Sequence, residues 1–171
     1  MLEGAPEEAR RLFALGYQAQ MEQRLQDAVE LYKQSITVYP TAEAHTFLGW
    51  VYSWEQRLDD AIAECHAAIR VDPAFGNPYN DIGAYLIQQG KLDEAIPWLE
   101  RAIQAARYEA RAFPWANLGR IYAARGDRKR AIECFRKALD EQPGYHVAIH
   151  MLERLVAGTN GFARIERGDR G

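Results

Sequence analysis

The chain has 171 residues, of which 48% are apolar and 26% charged, a balance that fits one folded domain or one short repeat array and excludes a disordered chain. The net charge of −3 lacks the basic footprint that nucleic-acid binding needs, and the apolar runs fall far short of the roughly 20 residues that cross a bilayer. The charge is uneven, with net −7 over residues 1–86 and net +4 over residues 87–171.

Along the chain, the first predicted helix carries Leu12, Leu15, Gly16 and Ala19 at i, i+3, i+4 and i+7, which makes one apolar stripe. The bulky-residue–glycine step returns at Leu48-Gly49, Ile82-Gly83 and Leu118-Gly119, at spacings of 33, 34 and 36. An alanine follows each glycine by twelve residues, at Ala28, Ala61, Ala95 and Ala131. Seven further on stands another small residue, Ser35, Ala68, Ala102 or Ala138. Proline comes five later at Pro40, Pro73 and Pro143, with Arg107 in its place in the third copy. Four positions keeping one period predict four antiparallel helix pairs, over about residues 9–41, 42–75, 76–111 and 112–144. The glycines and alanines mark where two helices approach closely, since larger side chains would push the axes apart.

Gly90 and Gly126 lie seven residues after the stripe glycines, where a left-handed residue can end a first helix. Asp59-Asp60 and Asp93-Glu94 put favourable negative charge at the start of second helices, and Lys129-Arg130 does not. Each proline is expected to stop its helix. Where Arg107 replaces it, either the second helix runs on or Arg107–Arg111 forms a longer turn. Pro97 falls in the first turns of a helix and is expected to bend it slightly. Residues 145–157 read as a final amphipathic helix capping the array, and residues 158–171, with four glycines and alternating charges, are expected to have no fixed structure.

Residues with chemical potential mostly have structural readings. His146 and His150 share a helical face but lack a third ligand. Cys65 occupies the slot of Tyr32, Leu99 and Phe135 in the other copies and is expected to be a buried thiol, as is Cys134 one place earlier. Arg125-Gly126-Asp127 contains the turn glycine of its copy, and Arg125, Arg128, Lys129, Arg130, Arg136 and Lys137 read as a solvated basic face. No converging catalytic set, phosphate loop or zinc-spaced cysteine set is present, so the expectation is a non-enzymatic protein without metal or cofactor. The N-terminus, Met1–Glu8, has neither a basic nor an apolar leader segment, which predicts a cytoplasmic chain without a secretory signal.

The pattern resembles the tetratricopeptide repeat family. The fourth copy matches best, with Trp115, Leu118-Gly119, Tyr122, Gly126, Ala131, Phe135, Ala138 and Pro143 at the family's signature positions. The second and third match at Leu48-Gly49, Tyr52, Ala61, Ala68 and Pro73, and at Tyr79, Ile82-Gly83, Gly90, Ala95, Leu99 and Ala102; the first is weaker. The resemblance covers about residues 9–143 and implies an all-α solenoid, with a groove lined by the first helix of each pair. By that resemblance the groove holds Arg10, Phe13, Tyr17 and Gln20; Glu43, Thr46, Phe47, Trp50 and Trp54; Asn77, Asn80, Asp81, Ala84 and Ile87; and Phe113, Asn117, Arg120 and Ala124.

Some members of the family grip acidic chaperone peptides through a clamp of Lys, Arg and Asn. The corresponding positions here, Phe13, Tyr17, Phe47, Asn77 and Asp81, or Thr46, Trp50, Asp81, Phe113 and Asn117 one copy on, lack its cations. The reading is therefore a protein-interaction module for a peptide or helix, with Phe13, Tyr17, Phe47, Trp50 and Trp54 as apolar anchors and Asn80, Asp81, Asn117 and Arg120 as polar readers. Neither nucleic acid nor membrane is expected as a partner. The alternative is a self-assembling structural protein that joins its acidic half to the basic half of another copy.

Overall fold

The structure is a computed structural model that describes the backbone of residues 4–165 and the side chains of residues 4–157. Among the described residues the chain forms nine α-helices: α1 (Glu7–Met21), α2 (Leu25–Val38), α3 (Ala42–Trp54), α4 (Leu58–Val71), α5 (Asn77–Gln88), α6 (Leu92–Gln104), α7 (Ala112–Ala124), α8 (Arg128–Glu141) and α9 (His146–Ile165). It divides into two compact units, Met1–Tyr108 and Glu109–Gly171. The first holds three helical hairpins, α1/α2, α3/α4 and α5/α6, stacked through α2 on α3 and α4 on α5. The second holds the hairpin α7/α8 with α9 against α8.

Helix contact within each hairpin rests on the glycine stripe. A Cβ on Gly16, Gly83 or Gly119 would lie within 2.9 Å of the side chain of Tyr32, Leu99 or Phe135 on the partner helix. These side chains, with Cys65 in the second hairpin, are fully buried. Leu48, Ile82 and Leu118 are buried beside their glycines, whereas Leu15 in the first repeat stays 38% exposed.

First helices end in one way throughout. The seventh residue after each stripe glycine is left-handed, at φ 77° for Gly90 and 74° for Gly126, but also at 60° for Gln23 and 62° for Gln56. In every case the next backbone N–H reaches back to a carbonyl of the helix: Arg24 to Ala19, Arg57 to Tyr52, Lys91 to Leu86 and Asp127 to Tyr122, each at 2.9 Å. That bond satisfies an orphan carbonyl and holds glutamine in a conformation it would otherwise avoid. Second helices end on Tyr39, Asp72 and Gln142, all extended, because each precedes a proline that clashes with helical geometry. The helix α6 runs unbroken through Pro97.

Where proline is replaced by Arg107, α6 does not run on; the longer turn forms instead. Arg107 N–H donates to the Ala74 carbonyl at 2.9 Å, and Gly76 N–H to the Arg107 carbonyl at 3.1 Å. The Arg107 guanidinium pairs with Asp72 at 2.6 Å and Glu43 at 2.9 Å and lies 4.2 Å over the Phe75 ring. Gly76 is required there by space, since a Cβ would sit 2.3 Å from that of Tyr108. At the C-terminal end the helix extends further than the expected 145–157. α9 continues to Ile165 through part of the segment read as unstructured, because glycine weakens a helix by about 1 kcal/mol without ending it and no proline intervenes. Residues 166–171 lie outside the described residues.

Candidate functional site

In the first unit, α1, α3 and α5 lie side by side and form one face. Helical spacing puts Phe13 and Tyr17 on the same side of α1, and Phe47, Trp50 and Trp54 on one side of α3. The rings of Phe13, Tyr17, Phe47 and Trp50 form a connected cluster. Phe47 meets Phe13 at a centroid distance of 5.1 Å and Tyr17 at 5.8 Å, both edge-on, and Trp50 at 4.5 Å. Tyr32 on α2 supports the cluster from below, 5.5 Å from Phe13 and 6.0 Å from Phe47. Such tilted and edge-on geometries are those that aromatic quadrupoles favour.

The cluster ends in a polar contact on α5. Trp50 Nε1–H donates to Asp81 Oδ2 at 2.6 Å, and Asn80 Nδ2 donates to Oδ1 at 3.4 Å. Burial pushes the Asp81 carboxyl up to about 6, against the lowering effect of these two hydrogen bonds. Behind it, burial also raises the Cys65 thiol on α4 and the Tyr85 hydroxyl on α5, which keeps both neutral.

Exposure sorts the expected anchors. Trp54 is 51% and Tyr17 46% exposed, Phe47 and Trp50 are half-buried, and Phe13 is only 7% exposed. Phe13 therefore supports Phe47 from beneath and presents no free surface. Three further residues expected in the groove are buried away from it. Gln20 accepts the Tyr32 hydroxyl at 2.6 Å, Thr46 returns its hydroxyl to the Ala42 carbonyl at 2.7 Å, and Glu43 is held by Arg107. Asn80 and Asp81 are half-buried on the same face as the rings.

Asn117 and Arg120 belong to the second unit. There Arg120 is exposed and donates to Asn117 Oδ1 at 3.5 Å on α7, while Phe113 is exposed and meets Tyr145 edge-on at 5.3 Å. Gly126 of the Arg125-Gly126-Asp127 tripeptide is the left-handed turn, and Asp127 caps α8 by accepting from Arg130 N–H at 3.0 Å. Cys65 and Cys134 are buried, and burial pushes the Cys134 thiol up to about 11. Sequence reasoning found the rings and Asp81 separately but not the bond between Trp50 and Asp81. Its one trace is that both lie within two residues of a stripe glycine on consecutive first helices.

Two profiles described as tetratricopeptide repeat match the chain, over residues 74–140 and residues 11–38, which together cover more than half of it. The chain belongs to the tetratricopeptide repeat family. It is 27% identical over 123 residues to human Tetratricopeptide repeat protein 29, a match spanning 66% of this chain and only 26% of that protein. Among solved structures, pilF of Pseudomonas aeruginosa superposes with a TM-score of 0.84 at 22% identity, covering 96% of this chain and 75% of its own. YrrB, described as a tetratricopeptide protein with an unusual peptide-binding site, gives 0.67 at 21% identity over 83% of this chain and 73% of its own. These likenesses establish an all-α tetratricopeptide solenoid fold, a scaffold for protein–protein interaction. No helix among the described residues is long and apolar enough to cross a membrane.

Proposed function

We propose that the chain is a protein-interaction module whose first unit seats an apolar segment of a partner protein on Tyr17, Phe47, Trp50 and Trp54. The observation that carries this reading is the exposure of Tyr17, packed edge-on against Phe47, and of Trp54, one turn beyond Trp50 on the same side of α3. Aromatic anchors held in place before binding lose little side-chain entropy on contact, which favours their use as hot spots. Asn80 and Asp81 supply polar contacts at the edge of the rings. On the second unit, Asn117 and Arg120 offer an amide and a guanidinium to a polar stretch. Two free buried thiols suit a reducing compartment such as the cytoplasm.

Trp54→Ala and Tyr17→Ala are the cleanest tests, because neither residue is needed to fill the core. Each is expected to weaken retention of the partner recovered from native extract by more than ~1 kcal/mol, with the thermal melt unchanged. Trp50→Ala is less clean, since it also strips the indole from Asp81. Equal partner binding by the double variant and the wild type would remove the aromatic face from consideration.

One observation favours a second reading. The two compact units carry opposite charge, net −7 for Met1–Tyr108 and net +4 for Glu109–Gly171, and heterologous pairing of unlike surfaces builds rings or filaments. Self-assembly through these charges predicts oligomers at low salt that dissociate between 50 mM and 500 mM sodium chloride in light scattering. A monomer throughout the series rejects it.

A further inference from the structure

The aromatic face contains a carboxylate that its own surroundings leave uncompensated. Among the described residues Asp81 accepts hydrogen bonds from two neutral groups, the Trp50 indole and the Asn80 amide, and makes no ion pair. A carboxylate has about four acceptor positions, so these two bonds leave acceptor capacity unused. Its ionisable neighbours Cys65 and Tyr85 carry no positive charge, and the His45 ring is engaged by Glu64, next to Cys65, at 2.7 Å. The whole unit is acidic, at net −7. A half-buried charge in this state is held at a cost, which a cation brought by a ligand would offset.

Resting on the proposed aromatic docking face, we infer that this face selects partner segments carrying a lysine or arginine, whose charged end pairs with Asp81 while flanking apolar residues sit on Tyr17 and Trp54. The chemistry discriminates in three ways. A cation gains the free acceptor positions of Asp81 and the neighbouring Trp50 ring, to which a cation is also attracted. A neutral side chain gains neither. A carboxylate is repelled by Asp81 at short range and by the acidic unit at long range.

The test is selection of a random twelve-residue peptide library displayed on phage against wild type, Asp81→Asn and Trp54→Ala in parallel. Wild type is expected to enrich lysine or arginine several-fold next to aromatic and aliphatic residues. Asp81→Asn, which keeps an oxygen for the Trp50 indole, should retain the apolar enrichment and lose the cationic one. A selected peptide resynthesised with glutamine for its cation should then bind wild type at least tenfold more weakly and bind Asp81→Asn no differently. Cationic enrichment that persists on Asp81→Asn, or apolar enrichment without cations on wild type, overturns this inference alone. Absence of any enrichment, or enrichment indifferent to Trp54→Ala, overturns the docking face as well. Wild type that self-associates and is released to monomer by Asp81→Asn assigns the carboxylate to a second copy of the chain and overturns the peptide reading.

Discussion

Asp81→Asn is expected to stabilise the folded chain at pH 7.5 by roughly 2 kcal/mol and to leave it nearly unchanged at pH 4. The sign follows from the direction of the shift. Asp81 titrates near 6 when folded, above its ordinary value of 3.8, because burial penalises the charged form more than the bonds from Trp50 and Asn80 favour it. Below the ordinary value both folded and unfolded chains carry a neutral carboxyl, and its favourable contribution is fully present. As the pH rises through 6 the folded chain must ionise a half-buried group, and that contribution is lost. Asparagine has no charge to bury and can still accept the indole hydrogen. Urea denaturation of both proteins from pH 4 to 8 isolates the effect, since other titrating groups cancel in the difference. A difference that is flat with pH would place Asp81 in ordinary solvent and remove its special status. Binding of a cationic peptide should move the opposite way, tightening as the carboxylate ionises, so the residue costs stability in the pH range where it serves recognition.

The repeat architecture was readable because it is enforced by sterics that act on residue type. Gly16, Gly83 and Gly119 face side chains that a Cβ would strike, and the residues before Pro40, Pro73 and Pro143 are biased out of helical geometry and end their helices extended. Spacing alone therefore located the hairpins. Gln23 and Gln56 were not readable as helix ends, because their left-handed conformation is imposed by the capping hydrogen bond rather than preferred by glutamine. The candidate site was legible at the level of residue type: aromatic side chains on α1 and α3, an aspartate on α5. Its finer sorting was not, since Thr46 satisfies its own hydroxyl one turn back and Gln20 is claimed by Tyr32 on the next helix. The Trp50–Asp81 bond joins residues 31 apart in different hairpins, and no local pattern encodes such a pairing.

In the second unit the largest effect should come from Phe135→Ala, at a cost of about 3–5 kcal/mol. Phe135 is fully buried in a core whose other buried members are Ala112, Ala116, Ala131, Ala138 and Ala148, with partly buried side chains such as Trp115, Tyr122 and Leu139 packed against it. It is the one large side chain among the buried members of this core, so its removal leaves a cavity that the alanines beside it cannot fill. Its ring also lies where a Cβ on Gly119 would come, at 2.8 Å, so the two positions should be strongly coupled. Gly119→Ala alone is expected to destabilise by about 1–3 kcal/mol, because the added methyl overpacks the fully buried Phe135 ring. In the Phe135→Ala background the same methyl enters the cavity and relieves the conformational cost of a mid-helix glycine, a gain of up to about 1 kcal/mol. The double variant should therefore be more stable than Phe135→Ala alone, although Gly119→Ala destabilises the wild type. Urea denaturation of the four proteins, followed by circular dichroism, closes the cycle. Simple addition of the two single costs would mean that the glycine answers to something other than the Phe135 ring, and the steric account of the repeat would fail at its best-matching copy.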